Sequence, residues 1–593
     1  MRWIINKSIT INEKKQFSQI NPIVLQLLFN RELKTQKQID EFLYSDYSQD
    51  IHDPFLLPEM GKAVQRIFQA IKDQELIMVH GDYDADGICG SLLLIETLEK
   101  LGARTDIYIP HREKEGYGLK EQAVDYMMKQ ENKKMQNTNG SIPMVIKNKT
   151  SGNGLIITVD CGITNIDGIK YAQKNNIDVI ITDHHLPCKN IPKAFAIIHP
   201  KTGNEYPFKD LAGAGVAFKL AQALLRKKEQ ESTLNFKGFE KWLLDLLVIA
   251  TVADLVPMLG ENKTLTKYGL IVLNKTKRIG LKKLIEISKL SEVSELNVFN
   301  VGFQIAPRIN SLGRLKHANT SYQLLKTQDE NEAKKIAEEL DQTNQERQRL
   351  IEEAVLQVLN QLGKITDKQK ILFVLNKNWP EGILGLIAGK ICNKFNRPTM
   401  AMTYKINNNQ QAEIVGSGRS NNFNLKLALE KIENILTSFG GHKCACGFKF
   451  LENNLENFKK KLEKIANKEI SDQDLIPILN IDQEITLAEV NWELFNELKK
   501  FEPYGKENPQ PKFLIKNLRI INLEKVGQNE QHLKLSATDE QVIIKMIGFG
   551  LGEKGGKFNI GNRIDIISEI NINEWNGNKE LQLKIVDLKT TEL

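Results

Sequence analysis

The stretch VHGDYDADGICG, residues 79–90, sets three acids on alternate positions and closes them with a glycine. These acids are Asp82, Asp84 and Asp86. Carboxylates this close repel one another and raise one another's pKa unless a cation or hydrogen-bond donors hold them. The preceding ELIMVH is typical of a short buried strand, and the following ICGSLLLIETLEKLG predicts an amphipathic helix. The acids are therefore expected at a strand-to-helix connection, where they require a partner.

The same strand and helix rhythm continues along the chain. TDIYIP, GLIITVD, DVIITDHH and AFAIIHP predict further strands, and TNIDGIKYAQKNN predicts a helix. Residues 129–154 are polar and rich in Asn, Lys and Gly, which predicts a solvated insertion. Continuous apolar strands that alternate with helices indicate a parallel sheet covered on both faces.

Acids and histidines follow several of these strands. Ligands of open parallel sheets bind beyond the carboxyl ends of the strands. Each residue alone is more often a helix cap or turn former, but three such strand ends together indicate a site. Asp and His without a thiolate suit Mn²⁺, Mg²⁺ or Zn²⁺, and abundant carboxylates suit two ions. Two ions can activate water for attack on phosphorus, so the cluster predicts phosphoester or phosphoanhydride hydrolysis. The residues concerned are Asp82, Asp84 and Asp86 after the first strand, Asp160 after the third, and Asp183, His184 and His185 after the fourth.

Length and composition exclude several classes of protein. A chain of 593 residues is long enough for roughly three or four domains of about 150 residues. Its apolar runs are shorter than the roughly 20 residues of a membrane span, and the N-terminus lacks a secretory signal, which predicts a cytoplasmic protein without membrane contact. Six scattered cysteines give no disulfide framework, and a net charge of +7 permits a polyanionic partner.

Four motifs in order carry a family resemblance. DYDADG, TVDCG, TDHH and ATVADLVPM resemble the motifs of the DHH phosphoesterase superfamily, and their spacing is most similar to its RecJ-like exonucleases. The resemblance extends over nearly the whole chain. His80 also fits the superfamily's His-x-x-x-Asp-x-Asp spacing, and its role stays open. The resemblance implies metal ligation by Asp84, Asp86, Asp160, His184 and Asp254, with Asp82, Asp183 and His185 as further catalytic-site groups that orient the ligands.

Three more stretches indicate substrate contacts. GFQIAPRINSLGRL carries two arginines, whose planar guanidinium groups match phosphate oxygens. VGSGRS predicts a glycine-rich turn whose backbone N–H groups approach an anion, and SFGGHKCACGF adds a GGH element. By the resemblance, Ser417, Arg419 and Arg112 hold a terminal 5′-phosphate, which fixes the direction of entry. The implied substrate-binding residues are Arg112, Arg308, Asn310, Arg314, Ser417, Arg419 and His442.

The expected architecture is α/β with a terminal β-barrel. DENEAKKIAEELDQTNQERQRLIEEAVLQVLNQLG predicts one long charged helix between two lobes, which we interpret as a spacer. Five alternating stretches near the C-terminus predict a small barrel, and OB-folds of this kind bind single strands. The predicted domains are an N-terminal helical extension (1–50), a parallel-sheet DHH catalytic domain (51–325), the connecting helix (326–362), a smaller α/β DHH-associated domain (363–465) and an OB-fold (466–593).

The resemblance implies a metal-dependent exonuclease that hydrolyses single-stranded DNA from 5′ to 3′ to mononucleotides in recombination and repair. It implies two Mn²⁺ or Mg²⁺ ions and a monomer assisted by a single-strand-binding protein and a RecQ-type helicase. Two alternatives remain open: a DHH-family phosphodiesterase of short oligoribonucleotides or cyclic dinucleotides, and a non-catalytic strand-binding scaffold. The PRIN element and barrel speak against the first, and the intact motif acids and histidines speak against the second.

Overall fold

A computed structural model describes residues 1–137, 154–187, 189–231, 236, 238–366, 368–407, 410–575 and 577–591. The chain forms two compact units. The larger unit comprises Ile51–Val256 and Leu265–Ile476. The second, which we call the barrel unit, comprises Met1–Asp50, Pro257–Thr264 and Pro477–Leu593.

The larger unit contains the predicted parallel sheet. The second strand along the chain lies at one edge of the sheet, next to the first. The third, fourth and fifth strands follow in chain order on the other side of the first. The first, third and fourth strands are in register at their carboxyl ends, where Gly81 lies opposite Val159 and Val159 opposite Thr182. The residues that follow these three strands therefore emerge side by side. The five strands are Leu76–Gly81, Arg104–Tyr108, Leu155–Val159, Asp178–Thr182 and Ala196–Ile198.

Helices surround this sheet, and one of them starts earlier than predicted. The helix after the first strand begins at Ala85 rather than Ile88, because Asp84 caps it by accepting the N–H groups of Asp86 and Gly87. The helices of this region are Met60–Lys72, Ala85–Lys100, Glu121–Asn137, Ile166–Lys174, Gly213–Glu231, Phe239–Trp242, Leu244–Ala253, Ile279–Ile287, Val298–Asn300, the π-helical Val301–Ile305, Ala306–Leu315 and Asn319–Lys326. The helix Gly260–Leu273 begins in the barrel unit and belongs to the larger unit from Leu265 onward.

The start of the predicted insertion, at residue 129, lies in a helix. Its first residues, 129–137, belong to the helix Glu121–Asn137, so the start of the predicted insertion was wrong. The helical run continues because residues 129–137 are Lys, Gln, Glu, Asn and Met, which are compatible with a helix and include no Gly or Pro. Residues 138–153 lie outside the described part of the chain.

The predicted long helix runs from Glu330 to Leu362. Asp329 caps its start by accepting the N–H of Glu332 at 2.7 Å, and Gly363 ends it with a φ of +57°. Beyond it lies a second sheet with helices Leu384–Phe395, Leu425–Glu430 and Leu455–Glu469. The predicted domain boundary at 466 falls inside the last of these helices. The strands, in spatial order, are Ser438–His442, Ala445–Leu451, Ala412–Arg419, Thr399–Ile406 and Leu372–Leu375.

VGSGRS was predicted as a turn, and this prediction was wrong. It forms part of the central strand Ala412–Arg419, which pairs on both sides, so its backbone N–H groups serve the sheet rather than an anion. The glycines instead make room for neighbouring side chains. A Cβ at Gly416 would lie 2.2 Å from the Phe448 ring. Any contact of Ser417 or Arg419 with an anion would therefore be made by the side chain.

The barrel unit contains the predicted closed five-stranded barrel. The strand Phe513–Val526 pairs with both His532–Thr538 and Arg563–Trp575, which closes the sheet. The remaining strands of the barrel are Ile543–Gly548 and Asn578–Thr590. Elements around it are the strand Gln483–Glu484 and the helices Trp492–Lys499 and Gly552–Gly555.

The N-terminal residues belong to this barrel unit. Arg2–Ile5 pairs in parallel with Ile478–Ile481. Leu25 and Leu28 share one buried apolar cluster with Phe513 and Leu533 of the barrel. Within residues 1–50, the strand Arg2–Ile5 precedes three helices, and this segment packs on the barrel. Its helices are Ile11–Gln16, Pro22–Asn30 and Gln36–Leu43. Across the described ranges, no helix combines the length and apolar character needed to cross a bilayer.

Candidate active site

The aligned strand ends bring the predicted acids together. Asp82 donates its backbone N–H to the Val159 carbonyl at 3.2 Å, and Asp160 donates to the Thr182 carbonyl at 3.0 Å. Asp160 adopts a left-handed backbone conformation with a φ of +60°. Non-glycine residues in this region often mark functional sites. The sheet register therefore fixes the acids of separate motifs at one edge.

His184 lies at the centre of this acid cluster. Its Nε2 is 3.2 Å from Asp160 Oδ1, 3.6 Å from Asp254 Oδ2 and 4.0 Å from Asp86 Oδ2. Asp254 reaches the cluster from the C-terminal end of the helix Leu244–Ala253. Nε2 of His184 and Oδ1 of Asp160 are buried, and neither makes a hydrogen bond. Buried polar atoms without partners are costly, so this arrangement fits a bound cation.

The candidate ligand atoms form overlapping groups. Within each group, the atoms lie within 4.8 Å of one another. Asp160 occurs in two groups, and Asp82, expected to be a neighbouring group, lies with the predicted ligands Asp84 and Asp160. Carboxylate and imidazole ligands at this spacing suit Mn²⁺ or Mg²⁺. The groups are Asp82, Asp84 and Asp160; Asp86, His184 and Asp254; and Asp160, His184 and His185.

Burial and mutual repulsion raise the pKa values of the acids in this cluster. Burial raises the pKa of Asp160, and repulsion from Asp86 and Asp84 raises it further. Burial and the charge of Asp84 raise the pKa of Asp86 to about 7 and that of Asp82 well above its ordinary value. Burial and nearby His185 lower the pKa of His184 to about 3, which keeps it neutral and able to bind a metal. A cation would relieve the repulsion among the acids.

Gly213 supports the cluster from outside the predicted motifs. The N–H groups of Gly213 and Ala214, at the start of the helix Gly213–Glu231, donate to the Asp86 carboxylate at 2.7 and 2.8 Å. A Cβ at Gly213 would lie 2.5 Å from the Cβ of Asp160. The absence of a side chain here lets the helix approach both acids. The sequence DLAGAG contains this glycine, but no spacing rule distinguishes it from an ordinary helix start.

Asp183 orients His185. The fully buried carboxylate of Asp183 accepts from the N–H of Ile163 at 2.9 Å and from His185 Nδ1 at 2.8 Å. Burial alone would raise the pKa of Asp183, but His185 lowers it below its ordinary value. Burial would lower the pKa of His185, but Asp183 outweighs this effect and raises it to about 9. The Tyr117 hydroxyl, which the sequence did not single out, lies 3.1 Å from Nδ1 and donates to the Asp160 carbonyl.

His80 lies apart from these groups. It is fully buried, its ring stacks on Tyr108 with a centroid distance of 5.7 Å, and its Nδ1 lies 3.5 Å from Cys161 Sγ. Burial lowers its pKa to about 4. Among the described residues, His80 is in none of the potential ligand groups. A packing role fits these contacts better than a ligand role.

Unpaired arginines adjoin the acids. Burial and the charges of Arg112 and Arg347 lower the pKa of Arg314 to about 10, while Asp84 opposes this shift. Arg112 stacks over Tyr83 at 5.0 Å, and Arg419 Nη1 donates to Ser417 Oγ at 3.0 Å. In the described ranges, none of these arginines forms an ion pair with a carboxylate. We call them the arginine cluster: Arg112, Arg314, Arg347 and Arg419.

The other predicted substrate residues make internal contacts. Arg308 pairs with Asp341 at 2.8 Å, and the Asn310 side-chain oxygen accepts the Ala85 N–H at 2.7 Å. Asn310 thus holds the start of the helix that carries Asp86. His442 stacks on His185 with ring centroids 6.4 Å apart, which brings the second sheet to the acid cluster. Arg347, on the long helix, was not predicted, because charged residues fill that helix and no motif marks it.

Comparisons with known proteins agree with this arrangement. Family profiles match residues 76–251 (DHH family, N-terminal domain), 367–468 (DHHA1 domain) and 481–587 (RecJ OB domain). The single-stranded-DNA-specific exonuclease RecJ of Bacillus subtilis is 37% identical over 596 residues, covering 100% of this chain and 71% of the relative. The RecJ exonuclease of Haemophilus influenzae is 28% identical, and the match covers 95% of this chain and 96% of that relative.

A solved structure has the same fold. RecJ of Thermus thermophilus in complex with Mn²⁺ superposes with a TM-score of 0.79 and 26% identity, covering 100% of this chain and 80% of that one. A similar structure from the same organism contains Mg²⁺, with a TM-score of 0.74. On the identity and coverage of these relatives, the chain belongs to the RecJ family of single-stranded-DNA-specific exonucleases.

Proposed function

We propose that this protein hydrolyses single-stranded DNA from its 5′ end, releases mononucleotides, and uses two Mn²⁺ or Mg²⁺ ions. The observation that carries the proposal is the meeting of two clusters in one unit. Repelling carboxylates surround His184, and next to them lie arginines that lack carboxylate partners. The first cluster suits cations and the second suits phosphates.

Asp84, Asp86, Asp160, His184 and Asp254 would hold the ions, with Asp82 as a further candidate. Asp160 belongs to two of the candidate ligand groups, so it would be a ligand in either of them. Divalent ions at such a site supply Lewis-acid stabilisation of phosphate oxygens and lower the pKa of water. The T. thermophilus relative binds Mn²⁺ and Mg²⁺, which supports the same ions here.

The chain's own residues fix and charge the site. Gly213 and Ala214 hold the Asp86 carboxylate through two backbone N–H groups. Asp183 keeps the imidazole of His185 protonated near neutral pH, which leaves a proton on Nε2 for a developing negative charge. Tyr117 limits the rotation of the same ring through its contact with Nδ1. These contacts orient the catalytic groups before substrate arrives.

Recognition of the 5′ end would give the enzyme its direction. Ser417, Arg419 and Arg112 offer a hydroxyl and two guanidinium groups to a terminal phosphate. A Cβ at Gly385 would lie 2.7 Å from Arg419 Nη2, so this glycine leaves space beside the guanidinium. A strand held at its end can enter the acid cluster in one orientation only. His442, stacked on His185, would contact the nucleotide between the two clusters.

The cellular setting is inferred from the family. A role in recombination and repair is consistent with the relatives, which are single-stranded-DNA-specific exonucleases. A single-strand-binding protein and a RecQ-type helicase as partners, a monomeric state and a cytoplasmic location stay predictions. The closed barrel at residues 513–590 would add a grip on the strand, as OB-folds do.

End-labelled substrates test the proposal. With Mn²⁺, the first product from a single strand labelled at its 5′ end should be the labelled mononucleotide. EDTA should stop the reaction. A blunt duplex should persist. Cleavage confined to a short oligoribonucleotide would favour the phosphodiesterase alternative. Binding of the strand without cleavage would favour the scaffold.

A further inference from the structure

Two arginines on the long helix have opposite surroundings. Arg349 is exposed and pairs with Glu346 at 2.7 Å and with Glu353. Arg347, two residues earlier, is partly buried and forms no ion pair with any carboxylate of the described ranges. Its Nη2 donates to Asn344 Oδ1 at 2.8 Å, and its buried Nε makes no hydrogen bond.

The neighbouring charges are also positive. Burial lowers the pKa of Arg347, and the charge of Arg308 lowers it further. Arg308 itself is neutralised by Asp341 of the long helix. Nε and Nη2 of Arg308 each lie 2.8 Å from Oδ1 of Asp341. The helix therefore supplies acids to Arg308 and Arg349 and none to Arg347. A partly buried guanidinium without a counter-charge is costly and fits an anion that comes from outside the protein.

One hydrogen bond orients the guanidinium of Arg347. Asn344, which is 1% exposed, lies one helical turn before it and accepts a hydrogen bond from its Nη2. The positive charge of Arg347 lowers the pKa of Arg314, so the two guanidinium groups repel each other. The pKa of Arg314 is raised by the charge of Asp84 in the acid cluster. It is lowered by the charges of Arg112 and Arg419, which are proposed to bind the terminal phosphate. Arg347 thus extends the arginine cluster along the long helix.

We infer that Arg347 binds a phosphodiester internal to the DNA strand, so that the long helix forms part of the substrate cleft. This inference rests on the proposed function. Ser417, Arg419 and Arg112 are the residues proposed for the terminal phosphate, and Arg347 lies outside that set, which leaves it for a later phosphodiester. The helix was predicted to be a spacer, and its unpaired arginine assigns it a binding role. Guanidinium groups suit this task because they donate two parallel hydrogen bonds to phosphate.

A scan of uncharged linkages tests the inference. The probe is a 5′-phosphorylated single strand in which one phosphodiester at a time is replaced by a methylphosphonate, bound by the full chain in EDTA to prevent cleavage. In the wild type, one internal replacement should weaken binding about tenfold, which corresponds to about 1.4 kcal/mol. Arg347→Gln should bind the unmodified strand more weakly and lose sensitivity at that linkage alone.

Matched variants separate this contact from a general effect. Arg349→Gln removes a charge two residues away and should keep the wild-type profile. Arg347→Lys should retain part of the sensitivity. The log–log salt slope should become less negative by about 0.7 in Arg347→Gln, as expected for one lost phosphate contact on a single strand.

The outcomes distinguish the inference from the proposed function. If Arg347→Gln keeps the wild-type profile at every linkage, or if the wild type is insensitive at all internal linkages, the inference is overturned while 5′ cleavage stands. If the wild type does not bind the strand and does not cleave it with Mn²⁺, both the inference and the proposed function are overturned.

Discussion

Asp183 Oδ1 accepts a hydrogen bond from His185 Nδ1 at 2.8 Å, and it also accepts the backbone N–H of His184 at 2.7 Å. One buried carboxylate therefore fixes the ring of His185 and the backbone of His184. His184 stays neutral and points Nε2 to the acids, whereas His185 is held protonated. The same side-chain type serves two purposes because only one of the two rings donates to Asp183.

This pair predicts a pH-dependent contribution to stability. Asp183 has a pKa below its ordinary 3.8, so its stabilisation is present above that pH and is lost as the pH falls through the folded value. The pKa of His185 rises from 6.5 to about 9, so its stabilisation is complete below 6.5 and disappears as the pH rises through about 9. The pair should stabilise most between about pH 4 and 6.5.

Asp183→Asn should reveal this window. In EDTA, the difference in melting temperature between wild type and variant should be greatest between about pH 4 and 6.5 and should shrink towards pH 9. Thermal melts across the pH range measure it. A difference that stays constant from pH 4 to pH 10 would contradict the assigned pair.

Gly213→Ala should damage the acid cluster. The added Cβ would lie 2.5 Å from Asp160 Cβ and 2.6 Å from its Oδ1, so the carboxylate must move. Displacement of a catalytic group by about 1 Å can cost about a hundredfold in rate. We expect a loss of that order in single-strand cleavage.

Gly61→Ala is the matched control for this substitution. Gly61 also lies in a helix, and, apart from its chain neighbours and the adjacent backbone of its own helix, no described atom lies within 4 Å of an added Cβ there. This variant should keep its activity and gain up to about 1 kcal/mol of stability. Equal activity of the two variants would argue against the close approach at Asp160.

Arg419→Gln should weaken recognition of the terminal phosphate. Arg419 contacts Ser417 and has no carboxylate partner within the described chain, so a phosphate is its expected counter-charge. Competition between 5′-phosphorylated and 5′-hydroxyl strands measures the preference. We expect it to fall about tenfold, as for one lost charge-assisted hydrogen bond. Arg349→Gln serves as control, and an unchanged preference in Arg419→Gln would remove Arg419 from the site.

Asp160→Asn should separate stability from activity. Burial and the charges of Asp86 and Asp84 disfavour the Asp160 carboxylate, so its neutral replacement should raise the melting temperature in EDTA near neutral pH. The further rise that Mn²⁺ gives the wild type should be lost, together with cleavage. Melts with and without Mn²⁺ check both effects, and a lower melting temperature in EDTA would show that repulsion is not dominant there.

The sheet and its acid-bearing ends were predictable because local patterns determine them. Apolar runs such as GLIITVD give the strands, and the parallel arrangement brings Asp82, Asp160 and Asp183 to one edge. Features that depend on distant partners were not predictable. VGSGRS looks like a turn, yet it is a central strand because Phe448 occupies the space above Gly416.

Long-range strand pairing and the pairing of charged residues could not be predicted from the sequence either. The strand Arg2–Ile5 pairs with Ile478–Ile481, and no local pattern joins segments this far apart. Arg308 and Arg347 look alike as charged residues, but Asp341 neutralises the first and leaves the second unpaired. Only the three-dimensional arrangement distinguishes an arginine used for packing from one available to a ligand.

We propose that the acid cluster holds two ions, and Asp160 belongs to two of its candidate ligand groups. Counting bound Mn²⁺ by electron paramagnetic resonance, in wild type and in Asp160→Asn, tests it most directly. We predict two Mn²⁺ per chain in the wild type, and at most one with no strand cleavage in the variant. Two Mn²⁺ and normal cleavage in Asp160→Asn would contradict the claim.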